Sequence, residues 1–245
     1  MAAAVAAAAA AAAATSAGRP AEGLHSSRVD DPGSRSLSLA AFADQVAGCT
    51  KCALAQGRTQ VVFGSGNADA DLMLVGEAPG FHEDKQGVPF VGAAGKLLEE
   101  LLGGIGLARD DVYIANVLKC RPPGNRDPMP EEIEACESHL WRQIELIQPR
   151  VVATLGNFAT KLLSGRPTGI TRVHGQEQET TLGGRRVLLY PIYHPAAALY
   201  TPRMLEVLKS DFARLPELLG REVAPPEPVY VPPAPAEPAV QLGLF

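Results

Sequence analysis

The sequence predicts an α/β fold, a three-layer α/β/α sandwich around a central parallel-rich sheet. Short apolar runs such as Leu72–Gly76 and Val151–Leu155 alternate along the chain with longer stretches whose apolar residues recur at helical spacing. Strands separated by helices need right-handed crossovers, which cover a parallel sheet on both faces. With 245 residues, 46% hydrophobic and 20% charged, the chain has apolar material for one good core.

In order, residues 72–76 read as a strand that stops at Gly-Glu-Ala-Pro-Gly. Residues 93–105 carry Leu97, Leu98, Leu101, Leu102 and Ile105 on one helical face, and residues 112–118 form the next strand. Pro130–Ile147 reads as a helix with proline in its first turn. Val151–Leu155 is a short strand ended by Gly156 and Asn157, with a helix reaching Leu163. Residues 185–193 form the last strand and residues 204–219 a closing helix.

Two tails flank a domain expected over residues 39–220. Residues 1–38 open on an almost unbroken alanine run without apolar periodicity and read as a disordered or weakly helical extension. They have neither the basic start nor the apolar stretch of a secretory signal, so a cytoplasmic protein with no membrane segment is expected, acting as a monomer. Residues 221–245 are proline-rich and suit a stiff, extended tether.

Polar groups gather where strands end. Gly76, Glu77, Glu83 and Phe90 lie in GEAPGFHEDKQGVPFVG, Asn116 ends the second strand, and His194-Pro195 follows the last one. The carboxyl edge of an open α/β sheet is where ligands bind, so these residues are the candidate site. A net charge of −5 argues against binding nucleic acid by electrostatics alone and leaves room for binding by a pocket. Basic residues cluster locally at Lys119, Arg121 and Arg126, and again at Arg166, Arg172, His174, Arg185 and Arg186. His82, Asp84 and Lys85 read as solvated loop residues.

The four cysteines are Cys49 and Cys52 as a CxxC, Cys120 after the second strand and Cys136 in the following helix. A disulfide framework does not suit a chain of this length without a secretory signal, and a thioredoxin-type CxxC belongs at a βα junction. Spacing alone leaves a structural zinc and an iron-sulfur cluster both open.

The runs GEAPGFHEDKQGVPFVGAAGKLL, NVLKCRPPGNRDP and HPAAAL, with the four cysteines, resemble the family-4, iron-sulfur uracil-DNA glycosylases from about Cys49 to about Leu215. That resemblance implies a 4Fe-4S cluster on Cys49, Cys52, Cys120 and Cys136. It also implies an enzyme that flips uracil out of DNA and hydrolyses its glycosidic bond. Phe90 would then stack the base above the turn at Gly76, and Asn116 would read its edge. His194 would stabilise the departing anion, Glu77 would handle water and the cationic sugar, and Glu83 would line the C5 position. One departure stands out: Tyr200 occupies the place where the family commonly has an arginine, with Arg203 three residues on.

Two other functions share some of these features. A radical or redox iron-sulfur enzyme would want a three-cysteine arrangement or a cofactor loop, and neither is evident. A covalent or non-catalytic uracil-DNA binder on the same fold would need a nucleophilic histidine in the stretch CRPPGNRDP, which has none. At the extreme C-terminus, Gln241, Leu242, Leu244 and Phe245 match the QLxLF pattern that resembles peptides binding the bacterial β sliding clamp.

Overall fold

The computed structural model describes residues 33–221. In chain order the elements are α1 (Ser34–Ala47), β1 (Ser65–Gly66), β2 (Leu72–Gly76), α2 (Phe81–Gln86), α3 (Ala93–Gly103), β3 (Tyr113–Asn116) and α4 (Pro130–Ile147). They continue with β4 (Val151–Leu155), α5 (Asn157–Ser164), α6 (Ile170–Val173), β5 (Gln178–Leu182), β6 (Arg185–Ile192), α7 (Ala196–Tyr200), α8 (Met204–Ala213) and α9 (Leu215–Gly220).

The sheet order is β1-β3-β2-β4-β6-β5. The four inner strands are parallel, and β1 and β5 close the two edges antiparallel. Because successive strand residues face opposite ways, the inner strands feed two cores. Met73, Val75, Val152 and Leu189 pack with Leu140 and Ile144 of α4 and Ala159 of α5. Leu72, Leu74, Val151, Ala153, Leu188 and Tyr190 pack with Leu98 and Leu102 of α3 and Leu208 and Phe212 of α8. This is the expected three-layer sandwich.

The differences from expectation have local causes. Helix α1 starts at Ser34, inside the stretch read as an extension, and buries Leu39 and Val46. Edge strand β1 is only two residues long, and β5 alternates exposed polar residues, so neither shows an apolar run. The closing helix breaks at Arg214, where Pro216 in the first turn of α9 supplies no amide to continue α8. Helix α4 starts as read: Pro130 sits in its first turn and the Glu132 carboxylate accepts the Met129 amide at 2.9 Å. The 1–32 and 222–245 stretches, including the QLxLF residues, lie outside the described residues.

Candidate active site

Four strand ends meet at the carboxyl edge of the sheet. Gly76 pairs in register with Asn116, and β4 ends at Leu155 opposite Ile192 of β6, two residues before His194. Chain order reverses about β2, whose neighbours are β3 on one side and β4 on the other, so this edge is a topological switch point.

Gly76 is the floor of the site. A Cβ there would lie 2.7 and 2.8 Å from two ring carbons of Phe90 and closer still to the Asn116 side-chain oxygen. Only glycine lets both side chains close over the end of β2. Asn116 is 2% exposed, and its Oδ1 has no hydrogen-bond partner among the described residues. A buried acceptor left unpaired costs about 1 to 3 kcal/mol, so the site carries an unfilled place for a donor.

Phe90 is buried and has φ of 54°, a left-handed backbone that is uncommon for an aromatic residue. Three features hold it there. The Arg109 guanidinium donates to the Phe90 carbonyl at 2.9 Å and also to that of Pro89. The Glu83 carboxylate accepts the Val91 and Gly92 amides, each at 2.9 Å. At Gly95, in the first turn of α3, a Cβ would sit 3.0 Å from Phe90 Cα and closer to its carbonyl, so the turn can dock only onto glycine. Glu83 is thus engaged with backbone amides beside the platform. Arg109 and Gly95 were missed by sequence reasoning; a glycine in the first turn of an otherwise strong helix was the available signal.

The His194 ring stacks on Phe90, with centroids 5.4 Å apart and planes 25° apart. Its Nδ1 accepts the Ala196 amide at 3.1 Å. An accepting Nδ1 puts the proton of the neutral ring on Nε2. Burial lowers the pKa to about 4, with Glu83 opposing the shift, so the ring is neutral at physiological pH. Glu77 follows Gly76 directly, and burial, then repulsion from Asp127, raises its pKa above the ordinary carboxylate value.

The four cysteines come together elsewhere. Cys49, Cys52, Cys120 and Cys136 line one pocket, with Arg58, Lys119 and His139. Arg58 donates to Cys120 Sγ at 3.4 Å, the Lys119 amide donates to Cys136 Sγ at 3.3 Å, and His139 Nε2 lies 3.3 Å from Cys49 Sγ. Among the described residues, no group of three or more His, Cys, Asp or Glu side chains is arranged to hold a single metal ion.

Several basic and loop residues differ from their sequence reading. Lys119 is 1% exposed, its ammonium donating to the Asn116 carbonyl at 2.8 Å and to Gln143 Oε1 at 2.5 Å. Arg126 forms a two-pronged pair with Glu132 at 2.9 and 2.6 Å. Arg121 has no carboxylate partner among the described residues; its Nε donates to Asn125 Oδ1 at 2.7 Å. In the second cluster Arg185 and Arg186 sit at the start of β6, the sheet edge opposite the site. Asp84 is buried, not solvated, and accepts the Thr59 amide at 2.9 Å.

Comparison with known proteins identifies the family. A family model for the Uracil DNA glycosylase superfamily matches residues 63–215. The chain is 49% identical over 189 residues to a type-4 uracil-DNA glycosylase of Archaeoglobus fulgidus, covering 76% of this chain and 95% of that protein. The chain belongs to the type-4 uracil-DNA glycosylases. It is also 47% identical over 186 residues to the enzyme of that name from Sulfurisphaera tokodaii, covering 74% of this chain and 84% of the other. A type-5 uracil-DNA glycosylase of Pyrobaculum aerophilum is 34% identical over 146 residues, covering 54% of this chain and 63% of the relative.

Proposed function

We propose that this protein excises uracil from DNA by taking the flipped base into the pocket formed by Gly76, Phe90, Asn116 and His194. The observation that carries this reading is the unpartnered, buried Asn116 Oδ1. Uracil N3-H fills that acceptor, and the amide nitrogen of Asn116 donates to O4. Cytosine presents the reverse pattern, an acceptor at N3 and a donor at the exocyclic amine, leaving buried groups unpaired on both sides. Phe90 stacks the base, and Glu83 fixes the turn that carries Phe90 and borders the C5 side.

As the glycosidic bond breaks, negative charge spreads over the uracil oxygens. Neutral His194 donates from Nε2 to O2, which stabilises that charge without a proton having left the ring. Glu77, once ionised, orients the attacking water and faces the cationic sugar. A uracil-containing oligonucleotide, single-stranded or with uracil opposite guanine or adenine, tests the reading. Release of free uracil supports it, and binding without release would favour a non-catalytic relative.

The four cysteines are the proposed ligands of a 4Fe-4S cluster. A cubane takes one thiolate at each iron, whereas zinc needs all four in one tight shell; these cysteines line one pocket from three separate segments without closing into a single-metal shell, which suits the former. Amide and guanidinium donors aimed at sulfur are the hydrogen bonds that thiolate ligands use. The group's contribution is a cross-link joining the segment after α1, the end of β3 and α4. Purified protein should be brown, and Cys120→Ala should lose iron and unfold at a lower temperature; full iron content in that variant would refute the four-ligand assignment.

The C-terminal QLxLF residues, Gln241 to Phe245, are the proposed contact to the bacterial β sliding clamp, with the glutamine bonding a pocket rim and Leu242, Leu244 and Phe245 as apolar anchors. A clamp tether raises the effective concentration on newly copied DNA, which offsets the weak electrostatics of an acidic chain. Titrating a peptide of residues 232–245 into clamp tests it: binding that is lost on changing Leu244 and Phe245 to alanine is expected, and equal binding by both peptides would sink it. No helix among the described residues is long and apolar enough to cross a membrane.

A further inference from the structure

We infer that Phe81, Lys85 and Arg121 form a grip for the DNA strand beside the extruded nucleotide, a site distinct from the base pocket. The inference rests on the reading of the protein as a DNA glycosylase. Phe81 opens α2 just past Gly76 and Glu77, and Arg121 lies just past Asn116, so both sit on segments that leave the strand ends carrying the pocket. Phe81 is 44% exposed, which is unusual for an aromatic at the first position of a short helix whose other side packs on the Phe90 turn.

Two cations converge on it. The Lys85 ammonium is 4.4 Å and the Arg121 guanidinium 5.1 Å from the ring centroid, and Arg121 arrives from a different loop. Neither cation pairs with a carboxylate among the described residues. The acids of α2 are turned inward: Glu83 holds the Val91 and Gly92 amides and Asp84 holds that of Thr59. Neighbouring basic residues are already engaged, Lys119 by the Asn116 carbonyl and Gln143, Arg109 by the Pro89 and Phe90 carbonyls, and Arg126 by Glu132. Arg121 also donates from Nε to the neutral Asn125 Oδ1 at 2.7 Å, which orients it and leaves its charge uncompensated. In a chain of net charge −5, two cations without a carboxylate partner, braced on an exposed aromatic beside the proposed base pocket, match the chemistry of a phosphate backbone. Lys85 and Arg121 take phosphates on the strand carrying the target, and Phe81 holds them in place and stacks an adjacent unpaired base.

The full-length protein and a uracil-free, fluorescently labelled single strand are the probes, because phosphate binding does not need the target base. Anisotropy titrations across a salt series give the slope of log affinity against log salt. The Lys85→Ala/Arg121→Ala double variant should lower that slope by about 1.4, from roughly 0.7 per lost contact on a single strand. Phe81→Ala should weaken binding about fivefold or more. In parallel, single-turnover uracil release should require more DNA to half-saturate while the rate at saturation stays within about twofold of the parent. A slope unchanged in the double variant would overturn the grip. So would an equal drop in Lys209→Ala, an exposed lysine on α8, since that would mean only net charge matters. Failure of the parent to release uracil would defeat the glycosylase reading and leave the binding result to stand by itself.

Discussion

The base pocket and the cysteine pocket are built from the same short segment in opposite ways. Asn116 ends β3, and Cys120 follows on the loop beyond it. The base pocket sits on strand ends of the sheet and leaves one buried acceptor unsatisfied. The cysteine pocket draws on a lead-in, a loop and a helix, and its sulfurs already receive donors from Arg58 and the Lys119 amide. In the proposed reading, unfilled hydrogen-bonding capacity marks where a transient ligand goes, and donors arranged around thiols mark a permanent one. Between them lies Lys119, whose side chain supports the Asn116 carbonyl while its amide supports Cys136. Gln143 extends the connection, accepting from Lys119 and donating to the Phe63 carbonyl at 2.9 Å and the Tyr113 hydroxyl at 3.2 Å.

That contrast is broken most sharply at His194. In the proposed mechanism its replacement by alanine removes the donor to the departing base, and losing one such transition-state hydrogen bond costs on the order of 100- to 1,000-fold in rate. Iron content should be untouched. A single-turnover rate within threefold of the parent would remove His194 from the catalytic role. A smaller effect is expected at the junction. Lys119→Met leaves the Asn116 carbonyl and Gln143 Oε1 without their shared donor, and about 1 to 3 kcal/mol of stability should go with each buried acceptor so exposed. Uracil release should slow by about tenfold at a temperature where the variant is folded. If it excises at the parental rate while folded, the two pockets are independent.

The smallest effect is a pH shift. In the proposed mechanism Glu77 must be ionised to orient water, and burial and Asp127 raise its pKa, so the rate should fall on acidification while the medium is still above the ordinary carboxylate range. His194, neutral down to about 4, protonates only below that limb. Asp127→Asn removes a repelling charge and should move the acid limb to lower pH, and Glu77→Gln should abolish it. A pH profile unmoved by either change would detach Glu77 from the reaction.

Much of this was legible in the chain. The inner strands announced themselves as apolar runs, and alternation of Leu72, Met73, Leu74 and Val75 between two helical layers follows from strand geometry alone. Gly76, Asn116 and His194 were read together because each falls at or just beyond a strand end, and Phe90 because it closes the turn segment that follows the first of them. What sequence could not show is which polar side chain faces inward. Lys119, Arg121 and Arg126 look alike as three nearby cations, yet one is buried under Asn116, one braces an exposed ring, and one pairs with Glu132. Glu83 and Asp84, adjacent acids in one loop, hold the amides of two different segments, a partnership set by tertiary contacts across gaps that no periodicity records. The antiparallel edges were missed for a similar reason, because β5 is held by its pairing with β6 and not by its own apolar content.

The central claim is that Asn116 carries an acceptor kept unsatisfied for uracil. Asn116→Ala tests it when uracil release and thermal unfolding are measured on the same preparation. Removing an unpaired buried group should leave the unfolding temperature equal or higher, while single-turnover excision from a uracil-containing single strand drops by about 100-fold or more. Excision at the parental rate would contradict the account, as would a fall in unfolding temperature large enough to explain the lost rate by unfolding alone.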